Sequence, residues 1–142
     1  MCYMGYSDDV GTATDLARYR LAKAKSDLHE ANQLIGNGSF SGANNRIYYA
    51  IFHAMLAMHA LDRRETRTHK RVIGEFNRYY IRTGIFPTEY GKKISHIENT
   101  RHSSDYDDFY IANAEETKQN FIFAEEFLVA LENQCKKRME MD

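Results

Sequence analysis

Ile47 to Leu61 reads IYYAIFHAMLAMHAL. Thirteen of these fifteen residues are aliphatic, aromatic, Met or Ala, and only His53 and His59 interrupt them. No face of such a segment can meet bulk water, so it predicts a helix surrounded on all sides by the rest of the chain. At about 22 Å it is too short for a membrane span of ~20 apolar residues. Its Ala, Met and Leu favour a helix over a buried strand.

On either side of that centre the periodicity is helical. Thr14 is a plausible N-cap with Asp15 in the first turn, and Leu16, Tyr19, Leu21, Ala24, Leu28, Ala31, Leu34 and Ile35 recur near a 3.6-residue period up to Gly36-Asn37-Gly38. The second helix, with Ser39 or Ser41 as cap, runs through the central stretch to about Asp62. After a charged connection over 62–67, Thr68 predicts the N-cap of a third helix whose apolar face holds Val72, Ile73, Phe76, Tyr79, Tyr80 and Ile81. Thr83-Gly84 ends it. Pro87, the single proline, suits the first turn of a fourth helix that carries Tyr90, Ile94 and Ile97 to about Thr100. Arg101 to Tyr110 reads equally as the end of that helix or as a loop. A fifth helix begins near Ala112, points Phe121, Phe123, Ala124, Phe127, Leu128 and Leu131 inward, and finishes in Lys136-Lys137-Arg138, which suits a helix C-terminus.

The prediction is an all-α antiparallel bundle of about five helices around a central apolar one. Residues 1–13, which show no period, form a loosely ordered arm, and 14–142 form one domain. A chain of 142 residues buries roughly two thirds of its unfolded surface without a staple. Cys2 and Cys135 have no metal-ligand or CxxC spacing and read as free thiols. The N-terminus lacks a basic region followed by an apolar run, so no signal peptide is expected and the expected compartment is the cytoplasm.

A formal net charge of −1 excludes an overall basic nucleic-acid glove, leaving local patches. No Gly-rich phosphate loop, GxGxxG or strand-borne nucleophile is present, and no Glu-x-x-His pair suggests a bundle metal site, so no cofactor or metal is expected. Arg63, Arg64, Arg67, His69, Lys70 and Arg71 place six basic residues within nine positions, opposed only by Glu65. They read either as a phosphate-contacting entry to the third helix or as a solvated turn. In Arg101-His102-Ser103-Ser104-Asp105-Tyr106 an arginine, an imidazole, a carboxylate and a phenol lie within two helical turns. That set could hold a phosphodiester, with Arg101 on the charge and His102 moving a proton, or it could be an Arg101–Asp105 brace with Tyr106 packed.

Taken together, ARYRLAKAKSDLHEANQLIGNGSFSGA from Ala17, RIYYAIFHAMLA from Arg46, THKRVIGEFNRYYIRTGIFP from Thr68, RHSSDY from Arg101 and AEEFL from Ala124 resemble the HEPN domain in its stand-alone prokaryotic branch. The resemblance covers Leu16 to Leu131. It implies an all-α bundle, often a homodimer, linked to RNA or to a minimal nucleotidyltransferase partner, with many members acting as toxins or RNases. Their arginine and histidine, separated by four to six residues before the last helix, map here onto Arg101 and, after four intervening residues, Tyr106 in place of histidine. A phenol with a pKa near 10 is a poor proton shuttle at neutral pH. Arg46 to His53 and Arg64 to His69 meet the bare spacing away from the family position, so the resemblance gives them no role. The resemblance thus implies an RNA- or nucleotide-binding module using Arg101, Asp105, Tyr106, His69 and Lys70. The alternatives are a metal-independent endoribonuclease in which His102 or the other subunit replaces the histidine, and a purely structural bundle.

Overall fold

A computed structural model describes residues 10–66 and 68–141. Five helices follow in order: α1 (Val10–Gly36), α2 (Phe40–Leu61), α3 (His69–Phe76), α4 (Thr88–Tyr106) and α5 (Ala114–Met141). A π-helical turn, Asn77–Ile81, extends α3. No strand occurs among the described residues. Cys2 and Arg67 lie outside them, as does most of the expected arm. Its last residues, from Val10, already belong to α1, so that helix starts before Thr14.

As the apolar run predicts, α2 packs against all four other helices. Ile47, Tyr48, Ile51, Met55 and Met58 are buried, each contributing roughly 1.5–3 kcal/mol. Arg20 reaching Leu56 and Asp27 reaching Arg46 make α1 antiparallel to α2, and Arg101 over Tyr48 with Ser104 on Asn44 does the same for α4. Thr117 meets Asn44 and Cys135 meets Met58, so α2 and α5 run the same way. Phe76, Phe86, Tyr90, Phe123 and Phe127 form a continuous aromatic layer between α3, α4 and α5. Cys135 is a buried free cysteine whose thiol burial pushes up to about 12, which leaves it unreactive.

Several ends form as the residues dictate. Gly38, at φ 77°, closes α1 with Ser39 N–H on Leu34 O (2.8 Å) and Gly38 N–H on Ile35 O (3.0 Å). Thr68 caps α3 by accepting from the Arg71 N–H. At the end of α2 the left-handed position falls on Arg63 (φ 57°), where a side chain is strained, and this turn sends Arg64 back over the bundle. Other boundaries shift. Pro87 stands at the N-cap of α4 and not inside it, and α4 continues through Arg101 to Tyr106. The start of α5 moves to Ala114, where the Asn113 side chain accepts from Glu116 N–H (2.9 Å).

The face of α1 differs in part, with Leu21, Ala24 and Ala31 buried as expected. Leu16 and Tyr19 are exposed, and the buried line is Ala17, Leu21, Ala24 and Ala31. Small residues let α1 approach α2 closely, and the one polar side chain in that line is Asp27.

Candidate functional site

Tyr48 and Tyr49, the second and third residues of the apolar run, project to different sides of α2. Tyr48 is fully buried, while Tyr49 stays partly open. Around the Tyr49 ring the fold gathers four groups able to carry positive charge. The Arg46 guanidinium lies 5.2 Å from its centroid and that of Arg101 5.9 Å. The rings of His53 and His69 lie at 5.9 and 5.8 Å. Arg46 and His53 come from α2 itself, His69 from the first turn of α3 and Arg101 from α4.

Each is held. Arg101 sits over Tyr48 at 4.3 Å, its NH1 is 3.6 Å from Asp105 Oδ2, and its Nε is buried without an acceptor. Burial acts to lower its pKa, but Tyr48, Tyr49 and Asp105 outweigh it and hold the group above its ordinary value, so Arg101 stays charged. His69 Nδ1 and the Tyr48 hydroxyl are hydrogen-bonded at 2.9 Å, and the imidazole stacks on Phe52 with centroids 4.2 Å apart. Burial, then the Arg101 charge, push the His69 pKa below its usual value, which keeps the ring neutral at pH 7. Burial also pushes the Tyr48 phenol up to about 12, so it remains a hydrogen-bond donor.

Two carboxylates close the outside of the cluster. Asp105 Oδ2 accepts from the Asn45 side-chain amide at 3.0 Å. Asp27, with 5% of its side chain exposed, accepts from Arg46 NH1 (3.1 Å) through one oxygen and faces His53 Nδ1 (2.7 Å) with the other. Arg46 also donates to Asn45 Oδ1 through Nε and NH2. The result is a π face flanked by two guanidiniums and two imidazoles, with carboxylates behind them, which is a setting for a phosphate beside a stacked base.

The structure brings together Arg101, Asp105 and His69 from the sequence-derived candidates. His102 and Tyr106 stand apart, their rings 4.9 Å from one another, with Tyr106 67% exposed. The basic run does not form one patch: Arg64 folds inward onto Asp62 and Tyr80, Arg71 pairs with Glu75 (3.0 Å), and Lys70 is exposed. Arg46, Tyr48, Tyr49, His53 and Asp27 were not among the candidates. Their one sequence signal is the Arg46 to His53 spacing.

A family model described as HEPN domain matches residues 17–134, most of the chain. The chain belongs to the HEPN domain family. This HEPN chain is 31% identical over 117 residues to a UPF0332 protein of Thermotoga maritima, a match covering 82% of this chain and 89% of that protein. It is 32% identical over 83 residues to a Methanocaldococcus jannaschii protein whose name marks it as a candidate toxin, with 58% of this chain and 62% of that protein covered. No helix among the described residues of this HEPN protein is long and apolar enough to cross a membrane.

Proposed function

We propose that this HEPN protein binds RNA through the face of Tyr49, with Arg101 as the phosphate anchor, as a module of a toxin–antitoxin or defence type system. The observation that carries the reading is the gathering of two guanidiniums and two imidazoles within 6 Å of one partly open tyrosine ring. Such an arrangement suits a backbone phosphate flanked by an unstacked base. The candidate-toxin name of a relative agrees with it. Asp105 and Asn45 position Arg101, and Lys70 adds charge at the entrance to α3.

The test is the affinity of purified protein for a labelled single-stranded RNA. Arg101→Ala should weaken binding by roughly 10-fold or more, the usual worth of a charge-assisted hydrogen bond, with the melting temperature nearly unchanged. Unchanged affinity with a lowered melting temperature would make Arg101–Asp105 a structural brace instead.

A second reading makes the chain the helical partner, as a homodimer, of a minimal nucleotidyltransferase. It draws on Tyr106, Phe109 and Ile111, which are 67%, 94% and 88% exposed beside Asp105, Asp107 and Asp108 and form an apolar, acidic ledge suited to a basic protein surface. Loss of co-purification on Phe109→Ser would support it.

A further inference from the structure

We propose that the cleft between α4 and α5, which shares no residue with the Tyr49 face, binds a small aromatic carboxylate that carries a second hydrogen-bonding group. The two helices run antiparallel, with Tyr90 Oη donating to Glu126 (2.9 Å) and His96 Nε2 3.3 Å from Glu116 Oε2. Between those contacts they leave an open cavity of about 490 Å³, a size common for small-ligand sites. The residue that points to a ligand is Asn120. It lines the cavity, is 8% exposed, and no hydrogen bond among the described residues uses its amide. A buried amide left with neither donor nor acceptor satisfied is costly. Its neighbours on α5 are all engaged. Glu116 faces His96 and accepts from Tyr110 Oη (3.4 Å), Thr117 Oγ1 donates to Asn44 (2.9 Å), and Gln119 donates to Glu115 (3.4 Å). The Asn120 amide is thus open to a partner that is not part of the chain.

The rest of the lining sets the chemistry of that partner. Phe123 forms the floor, its ring held edge-on by Tyr90 with centroids 5.2 Å apart. Lys93 Nζ lies 5.2 Å from the Phe123 centroid, and Lys92 stands beside it on the same wall. One end of the cleft is therefore cationic above an aromatic ring, the unused amide is in the middle, and the His96–Glu116 pair closes the other end. From Glu116 to Phe123 the wall runs about 10 Å along α5, the length of one substituted ring. A flat ring on Phe123 places its carboxylate against Lys93 and Lys92 and a polar substituent on Asn120. The anion is a carboxylate because no arginine fork lines the cleft to grip a phosphate, and Glu116 opposes a second negative charge.

The experiment titrates the full chain with 4-hydroxybenzoate, and with benzoate, 4-hydroxybenzamide and inorganic phosphate for comparison, and follows binding by calorimetry. Wild type should bind 4-hydroxybenzoate saturably, with a Kd of about 1 mM or below. It should prefer that acid to benzoate and to the neutral amide by roughly 5- to 10-fold each, the worth of one hydrogen bond and of one charged contact. Equimolar phosphate should not displace it. Asn120→Ala removes an amide that the fold does not use and puts a better helix former in its place, so its melting temperature should be retained. That variant should bind 4-hydroxybenzoate no more tightly than benzoate. Joint replacement Lys92→Gln and Lys93→Gln, on an exposed wall, should abolish the preference for the acid over the amide. No saturable binding by wild type, equal affinity for benzoate, or displacement by phosphate would overturn the proposal. A melting temperature several degrees lower in Asn120→Ala would do so too, because the amide would then be spent on the fold.

Discussion

Two polar clusters sit at opposite ends of the apolar run of α2, built from nearly the same residue types and arranged inside out from one another. At the Leu61 end an acceptor is the hub. Asp62 receives the Tyr80 hydroxyl, Arg64 NH2 at 3.2 Å and Arg138 NH2 at 3.7 Å, tying α2, the π turn and α5 together. At the Tyr49 end an aromatic face is the hub, and the carboxylates stand behind the cations. Both clusters leave one buried guanidinium Nε without an acceptor, on Arg101 and on Arg138, so an orphan donor does not separate them. The position of the negative charge does. Donors aimed at a central carboxylate are spent on folding, whereas donors around a π face keep capacity for an anion that is not part of the chain.

Removing the hub at the Leu61 end is the largest way to test that contrast. Asp62→Ala leaves two guanidiniums and a phenol without their common acceptor. With about a quarter of the Asp62 side chain exposed, the loss should be roughly 2–3 kcal/mol, below the range for a fully buried pair. Thermal melts should drop by about 5–10 °C. RNA affinity, measured well below the melting point, should hold. A variant that melts normally but binds RNA poorly would reverse the assignment of the two ends.

Sequence carried the bundle and half of the site. The run from Ile47 to Leu61 announces its burial because no arrangement of thirteen apolar side chains hides from that conclusion, and Arg101 with Asp105 shows itself through an i, i+4 spacing inside one helix. The Asp27 link is different: it joins α1 to residues 19 and 26 positions away on α2, and no local period encodes it. Reading α1 by its period also took in Leu16 and Tyr19, which are exposed, and passed over Ala17, while Leu21, Ala24 and Ala31 are buried as read. Close helix contact rewards small side chains, and a period counted on apolar residues alone passes over Asp27, which lies on the same line as Ala24 and Ala31. Arg64 and His69 look alike as members of one basic run, yet the left-handed turn at Arg63 sends the first to Asp62 while α3 carries the second to Tyr48.

Acid should act on both ends, but unequally. Burial first, with Arg64 or Arg101 beside them, lowers the pKa values of His59 and His69 from 6.5. The unfolded chain then binds more protons as the pH falls below about 6.5, so stability is lost on acidification from there and is flat above it. His59 is fully enclosed, with Nε2 on Val72 O at 3.0 Å and Nδ1 accepting from Arg64 at 3.3 Å, so protonation breaks a contact at the Asp62 latch. His69 can turn its charge toward the open Tyr49 face. Melting temperatures between pH 7.5 and 5.5 should fall by a few degrees, at roughly 2–4 °C per kcal/mol. His59→Gln should flatten that slope more than His69→Gln does, and equal flattening would mean that the two ends are equally closed.

The smallest expected effect discriminates most finely, because it asks whether RNA recognises one end of α2 or merely the protein's cations. Lys70 stands next to His69 at the entrance to the Tyr49 face, and Lys137 is also exposed, on α5, one residue before the Asp62 partner Arg138. A lysine that neutralises one phosphate of a single strand contributes about 0.7 to the slope of log affinity against log salt. Lys70→Ala should reduce that slope by about this amount and weaken binding two- to threefold at moderate salt. Lys137→Ala should change neither, since the donors at its end are already committed to Asp62. Equal losses at both positions would make the attraction diffuse, and the distinction between an aromatic face flanked by guanidiniums and a carboxylate-centred latch would then carry no consequence for binding.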